Sequence, residues 1–193
     1  RINRALAAKD GPIVPLIAET GGINAMIVDA TALPEQVCDD VIMSAFRSAG
    51  QRCSALRLLC VQAEVADKII TMIKGAAREL VIGDPCDRAV QIGPVIDMRA
   101  KAQLDAYVEQ MSSSARLHYQ GQAPSTGSYV APHIFELARV SDLKREVFGP
   151  ILHIVRWSSG GLPGLLDEID QLGYGLTLGL HTRIDRVREQ VID

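Results

Sequence analysis

The chain has 193 residues, 48% of them hydrophobic, which suffices for one domain with a real core. A formal net charge of −3 and an aromatic content of only 4% exclude the basic footprint and the stacking platform on which nucleic-acid binders rely. No apolar run approaches the roughly 20 residues of a membrane-spanning helix. Ile13–Ala18 is too short for a secretory leader and lacks a cleavage signal, so the chain is read as cytoplasmic. It opens on Arg1 and not on Met, which reads as a piece of a longer protein.

In chain order, Arg1–Ala8 reads as the tail of a helix, broken at Asp10-Gly11-Pro12. Ile13–Ala18 is expected to be a buried strand, with Pro15 marking an edge or a strand start. Glu19–Gly22 is a turn, and Asn24–Asp29 a short apolar strand. Leu33–Ala49 is the strongest helical pattern, with apolar residues at 37, 38, 41, 42, 45, 46 and 49. Asp29 or Thr31 is expected to cap its start and Gly50 its end. Ala55–Gln62 follows as a strand, and Glu64–Leu80 as a second amphipathic helix ended by Gly83-Asp84-Pro85. Asp97 caps a third helix that runs to Met111 and ends at Ser112–Ser114. Arg116–Tyr119, Tyr129–Phe135, Ile151–Trp157 and Leu176–His181 are extended; Leu162–Leu172 and Ile184–Asp193 are helical. Strands alternating with helices predict an α/β fold, a three-layer open and largely parallel sheet flanked by helices.

The four cysteines, Cys38, Cys53, Cys60 and Cys86, form no CxxC pair, and the four histidines are scattered, so neither a disulfide framework nor a metal site is expected. Cys53 differs from the others. It sits in the turn Gly50-Gln51-Arg52-Cys53-Ser54 between a helix and a strand, with Arg52 and Arg57 as nearby cations. A thiol becomes a nucleophile when cations or helix amino ends favour its thiolate. The preceding helix presents its carboxyl end here, which works against that, so the cations must act.

Three stretches stand together in order: Glu19-Thr20-Gly21-Gly22, Gly50-Gln51-Arg52-Cys53 and Glu146-Val147-Phe148-Gly149-Pro150. In them the chain resembles the aldehyde dehydrogenase superfamily, whose motifs are E-[LT]-G-G, G-Q-x-C and E-x-F-G-P. The stretches AETGGINAMIVD, SAGQRCSALRLLCVQ and GYGLTLGLHTRID resemble, more narrowly, the Δ1-pyrroline-5-carboxylate (L-glutamate γ-semialdehyde) dehydrogenases, above all the dehydrogenase part of bacterial bifunctional proline utilization proteins. The resemblance implies that Cys53 is the nucleophile and Glu19 the general base. It implies that Glu146 holds the nicotinamide ribose of NAD, that Phe148 lies on the nicotinamide side, and that Thr20 and Gly21 line that pocket. Ser54 matches a position that helps hold the substrate carboxylate, and Arg52 keeps the charge of a frequent lysine.

By the same resemblance, residues 1–18 are the end of an NAD-binding domain and 19–193 an incomplete catalytic domain. The isolated chain is then expected to be inactive as a dehydrogenase. FAD would belong only to a separate proline dehydrogenase domain. The partner is a small aldehyde, with no nucleic acid and no membrane span, and the parent protein is expected to be a bacterial homo-oligomer. Two alternatives stay open: a dehydrogenase for another semialdehyde or aliphatic aldehyde, and a folded piece without catalysis.

Overall fold

The computed structural model describes residues 1–192. Six strands form one sheet: β1 (Asn24–Val28), β2 (Leu56–Gln62), β3 (Arg116–Gln120), β4 (His133–Glu136), β5 (Ile151–Trp157) and β6 (Leu178–His181). Their order is β3-β4-β5-β2-β1-β6, and every pairing is parallel except β3 with β4. The central strands β1, β2 and β5 are apolar almost without interruption, as strands covered on both faces must be. The antiparallel edge strand β3 is largely exposed and polar, which discourages further pairing.

The helices are α1 (Ile2–Ala7), α2 (Pro34–Phe46), α3 (Ala63–Arg78), α4 (Met98–Ser114), α5 (Leu162–Asp170) and α6 (Asp185–Ile192). Alternation along β5 assigns two of them to opposite faces. His153 meets Tyr107 of α4 at 2.8 Å, whereas Arg156, pointing the other way, pairs with Asp67 of α3 at 2.8 Å. The three-layer, largely parallel α/β arrangement predicted by the alternating pattern is therefore present. Its core is continuous, with Ile27, Leu58, Leu59, Cys60, Ile134 and Ile154 fully buried across the sheet.

Asp97 caps α4 as expected, accepting from the Ala100 N–H at 2.7 Å. The helix runs on through Ser112–Ser114, whose hydroxyls donate to the carbonyls of Val108, Glu109 and Gln110 one turn back. Three other expectations are corrected. Ile13–Ala18 is an irregular segment with Ile13 98% and Ile17 87% exposed; it finds no neighbouring strand among the described residues, and unpaired backbone cannot hold a strand. The N-cap of α2 is Leu33, with no capping side chain. Asp29 instead accepts from the N–H and hydroxyl of Thr31 at 2.7 and 2.6 Å and from the hydroxyl of Thr182, tying the end of β1 to the segment after β6. Finally, α2 stops at Phe46 and not at Ala49, and Gly50 is not its cap.

Candidate active site

The end of α2 shapes the site. After Phe46 three consecutive residues take left-handed backbone angles, Ser48 (φ 57°), Ala49 (φ 52°) and Gly50 (φ 64°). For the two non-glycine residues this conformation costs about 1–2 kcal/mol each, and such strain persists only where the surroundings enforce it. Gly50 cannot be replaced without conflict, because a Cβ there would lie 2.1 Å from the Gly149 carbonyl oxygen. The reversal leads into a turn closed by the Ala55 N–H donating to the Arg52 carbonyl at 3.1 Å. Cys53 and Ser54 are its two central residues, both exposed, and the Cys53 thiol is free.

Four side chains fix this loop. Gln51 accepts from the Ile96 N–H at 2.8 Å and donates to the Pro94 carbonyl at 3.3 Å, docking the loop on the segment before α4. Arg52 donates to the carbonyls of Met43 and Ser44, each at 3.1 Å, so its cation meets the negative end of α2. Asn24, buried at the start of β1, donates to the carbonyls of Cys53 (2.7 Å) and Ala55 (2.8 Å) and accepts from the Thr177 N–H (3.1 Å). Arg57, fully buried, donates to the Gly149 carbonyl at 3.0 Å, to the Arg52 carbonyl at 3.1 Å and to the Gly50 carbonyl. Its guanidinium carbon lies 5.3 Å from the centre of the Phe148 ring. Burial, partly offset by Glu146, lowers the Arg57 pKa to about 10, which leaves it charged at neutral pH.

The other two motifs close around this loop. Gly21 has φ 143°, and a Cβ built on it would lie 2.2 Å from Oε2 of Glu146. At Gly22 a Cβ would meet the Asn24 side-chain oxygen at 2.9 Å and the Cys53 carbonyl at 3.0 Å. The glycine turn is therefore wedged between the cysteine loop and Glu146, where only glycines fit. Oε1 of Glu146 is buried with no hydrogen-bond partner among the described residues, an unfavourable state for a carboxylate oxygen unless a ligand donates to it. Phe148 is half-exposed beside it. Glu19 and Thr20 stand exposed at the mouth of the turn, and Glu19 makes no side-chain hydrogen bond among the described residues.

The structure thus gathers Gly21, Cys53, Ser54, Glu146 and Phe148 at one place, with Glu19 and Thr20 next to them in the chain. Arg52 points back to α2. Sequence reasoning missed Asn24 as a member of the site and treated Arg57 only as a nearby charge. The available signals were a polar residue opening the strand NAMIV and a charge inside the apolar run LRLLCVQ. The cysteines outside the site play no part in it. Cys60 is fully buried, and Cys38 is buried, with burial first and then Asp39 raising its pKa.

The model of the aldehyde dehydrogenase family matches residues 1–193. The chain belongs to the aldehyde dehydrogenase family. Within it, the chain is 50% identical to the bifunctional protein PutA of Escherichia coli over 98% of its own length, covering 15% of that protein. It superposes over its whole length on the crystal structure of a variant of Bradyrhizobium japonicum proline utilization A, with a TM-score of 0.96 and 66% identity, covering 20% of that chain. A 1-pyrroline-5-carboxylate dehydrogenase from Thermus with bound NAD matches 90% of the chain at TM-score 0.83 and 27% identity, covering 34% of that chain. The chain therefore spans a minor part of each of these relatives.

Proposed function

We propose that these residues form the thiolate-bearing catalytic part of an NAD-dependent L-glutamate γ-semialdehyde dehydrogenase, acting in proline breakdown. The observation that carries the reading is the wedge of Gly21 and Gly22 between the Cys53 loop and Glu146. It brings three motifs distant in sequence to one place. The likeness to PutA and to 1-pyrroline-5-carboxylate dehydrogenases supports the substrate.

The buried Oε1 of Glu146, without a partner among the described residues, suits a ribose hydroxyl donor, so this residue fits NAD. Glu146, Phe148, Thr20 and Gly21 would hold it. When bound, NAD supplies the hydride acceptor. The chain's own residues do the remainder. The Cys53 thiolate adds to the aldehyde carbon and turns the planar carbonyl into a tetrahedral hemithioacetal. The Cys53 N–H, at the tip of its turn, donates to the resulting oxyanion. Oxidation leaves the acyl group on the sulfur as a thioester. Glu19, exposed and chain-linked to the wedge, takes a proton from water as the oxygen attacks the thioester; the C–S bond breaks, and L-glutamate and the thiolate are released. Ser54, exposed beside Cys53, offers a hydroxyl donor to a substrate carboxylate, while Arg52 stays on the end of α2.

In this reading residues 1–18 belong to an NAD-binding domain, which accounts for the exposed Ile13 and Ile17. FAD belongs only to a separate proline dehydrogenase domain, and the full-length protein is a bacterial, cytoplasmic homo-oligomer. The test is NADH formation by the full-length protein on L-glutamate γ-semialdehyde, compared with unsubstituted aliphatic aldehydes. A wide preference for the aliphatic aldehydes would refute the substrate assignment.

A further inference from the structure

We propose that Arg57 is a positioning residue that sets the distance between the Cys53 loop and the Glu146–Pro150 loop; the inference rests on the functional reading above and adds a residue to it. Arg57 is fully buried in β2, yet among the described residues no carboxylate lies within ion-pair distance of it. Its Nε is buried with no partner among the described residues. A charged group so placed is unfavourable for stability compared with an apolar residue of the same volume, and core strands otherwise select Val, Ile or Leu. What it obtains is contact with both loops at once. One end of the fork holds Gly149 at 3.0 Å, and the other holds Gly50 and Arg52 on either side of Gln51, three residues and one residue before Cys53.

The guanidinium carbon lies over the Phe148 ring, 5.3 Å from its centre and two residues from Glu146. A third element steadies the anchor. His153 of β5 donates from Nδ1 to the Arg57 carbonyl at 2.9 Å, which leaves its Nε2 to accept from the Tyr107 hydroxyl at 2.8 Å. The strand carrying Arg57 is thereby tied to α4, and the planar fork transmits that rigidity to both loops. No other side chain bonds to both the 50–52 and the 149 carbonyls among the described residues. Lysine, a point charge on a flexible stem, cannot reproduce a planar fork bonded at both ends with its cation over a ring.

The test uses the full-length protein and the variants Arg57→Lys and Arg57→Gln. Hydrogen exchange without cofactor or aldehyde is read at the amides of Gln51, Ala55, Gly149 and Ile151. In Arg57→Lys all four are expected to exchange about tenfold faster, while the β5 amides beyond Ile154 keep their wild-type rates. In turnover, kcat falls and KM for NAD rises, each about tenfold, and Arg57→Gln is worse than Arg57→Lys in both. A merely structural role predicts uniform acceleration of exchange across β2 and β5, or no change in KM for NAD, and either result overturns the proposal. Should both variants fail to fold, the wild-type protein decides. Gln51 and Gly149 must then open as one unit, and protection differing by more than about tenfold refutes the link. Because the exchange arm needs no substrate, absence of NAD reduction on any semialdehyde would overturn the functional reading and leave this test standing.

Discussion

The cysteine loop and the glutamate turn meet at the same site but are held in opposite ways. Residues 47–57 are locked by a left-handed reversal, by hydrogen bonds from Gln51, Asn24 and Arg57, and by Arg52 on the end of α2. Residues 13–20 are irregular and exposed, and become fixed only where Gly21 and Gly22 wedge in. The contrast fits the chemistry proposed for each. A nucleophile that forms a covalent bond needs a set position, whereas a base that activates water must let water in. It also separates what each substitution should disturb.

The largest expected effect is at the proposed nucleophile. Cys53→Ala should lower NAD reduction by at least about a thousandfold. Because the side chain is exposed, the unfolding free energy from urea titration should stay within about 0.5 kcal/mol of wild type. A variant that keeps a tenth of its activity would break the assignment.

Next comes acid sensitivity around the anchored loop. Burial holds His153 neutral, lowering its pKa from 6.5 to about 4. Between those values the unfolded chain binds a proton that the folded chain refuses. The stabilising preference is therefore present above pH 6.5 and is lost as pH falls toward about 4, by up to about 3 kcal/mol. Urea unfolding across that range should show stability declining, and His153→Leu should flatten the slope. An unchanged slope would mean that another group dominates.

Glu19→Gln should lower kcat about a hundredfold while an acyl-enzyme on Cys53 accumulates, detectable as added mass on its peptide. No accumulation would place Glu19 outside thioester hydrolysis. Since Glu19 is exposed and makes no side-chain hydrogen bond among the described residues, its loss should leave stability unchanged, in direct contrast to Asn24. Removing that buried amide in Asn24→Ala leaves the Cys53 and Ala55 carbonyls without a donor and should cost about 2 kcal/mol in urea unfolding. The smallest effect is Ser54→Ala, a few-fold rise in the KM for semialdehyde with kcat retained.

The α/β class, the order of strands and helices and the cysteine turn with its two flanking motifs are all legible along the chain, because periodicity and short motifs are local properties. The misreadings share one cause. Ala49 continues the apolar period of α2, but the backbone leaves the helix at Phe46; nothing local about Ser48 or Ala49 signals a left-handed residue. Ile13–Ala18 has a strand's composition, but a strand exists only through its hydrogen-bonding neighbours. Arg57 interrupts an apolar strand, and its meaning lies in carbonyls at Gly50 and Gly149, the latter 92 residues away.

By itself the sequence determined which residues carry reactive groups and which segments coil or extend, since side-chain chemistry and hydrophobic spacing are written residue by residue. Only the tertiary structure decided that Gly21 must be bare to admit Glu146, that Asn24 holds the Cys53 carbonyl, and that a buried guanidinium joins the two loops. Those facts depend on distances between segments far apart in the chain, which form only when the sheet brings its strands into register.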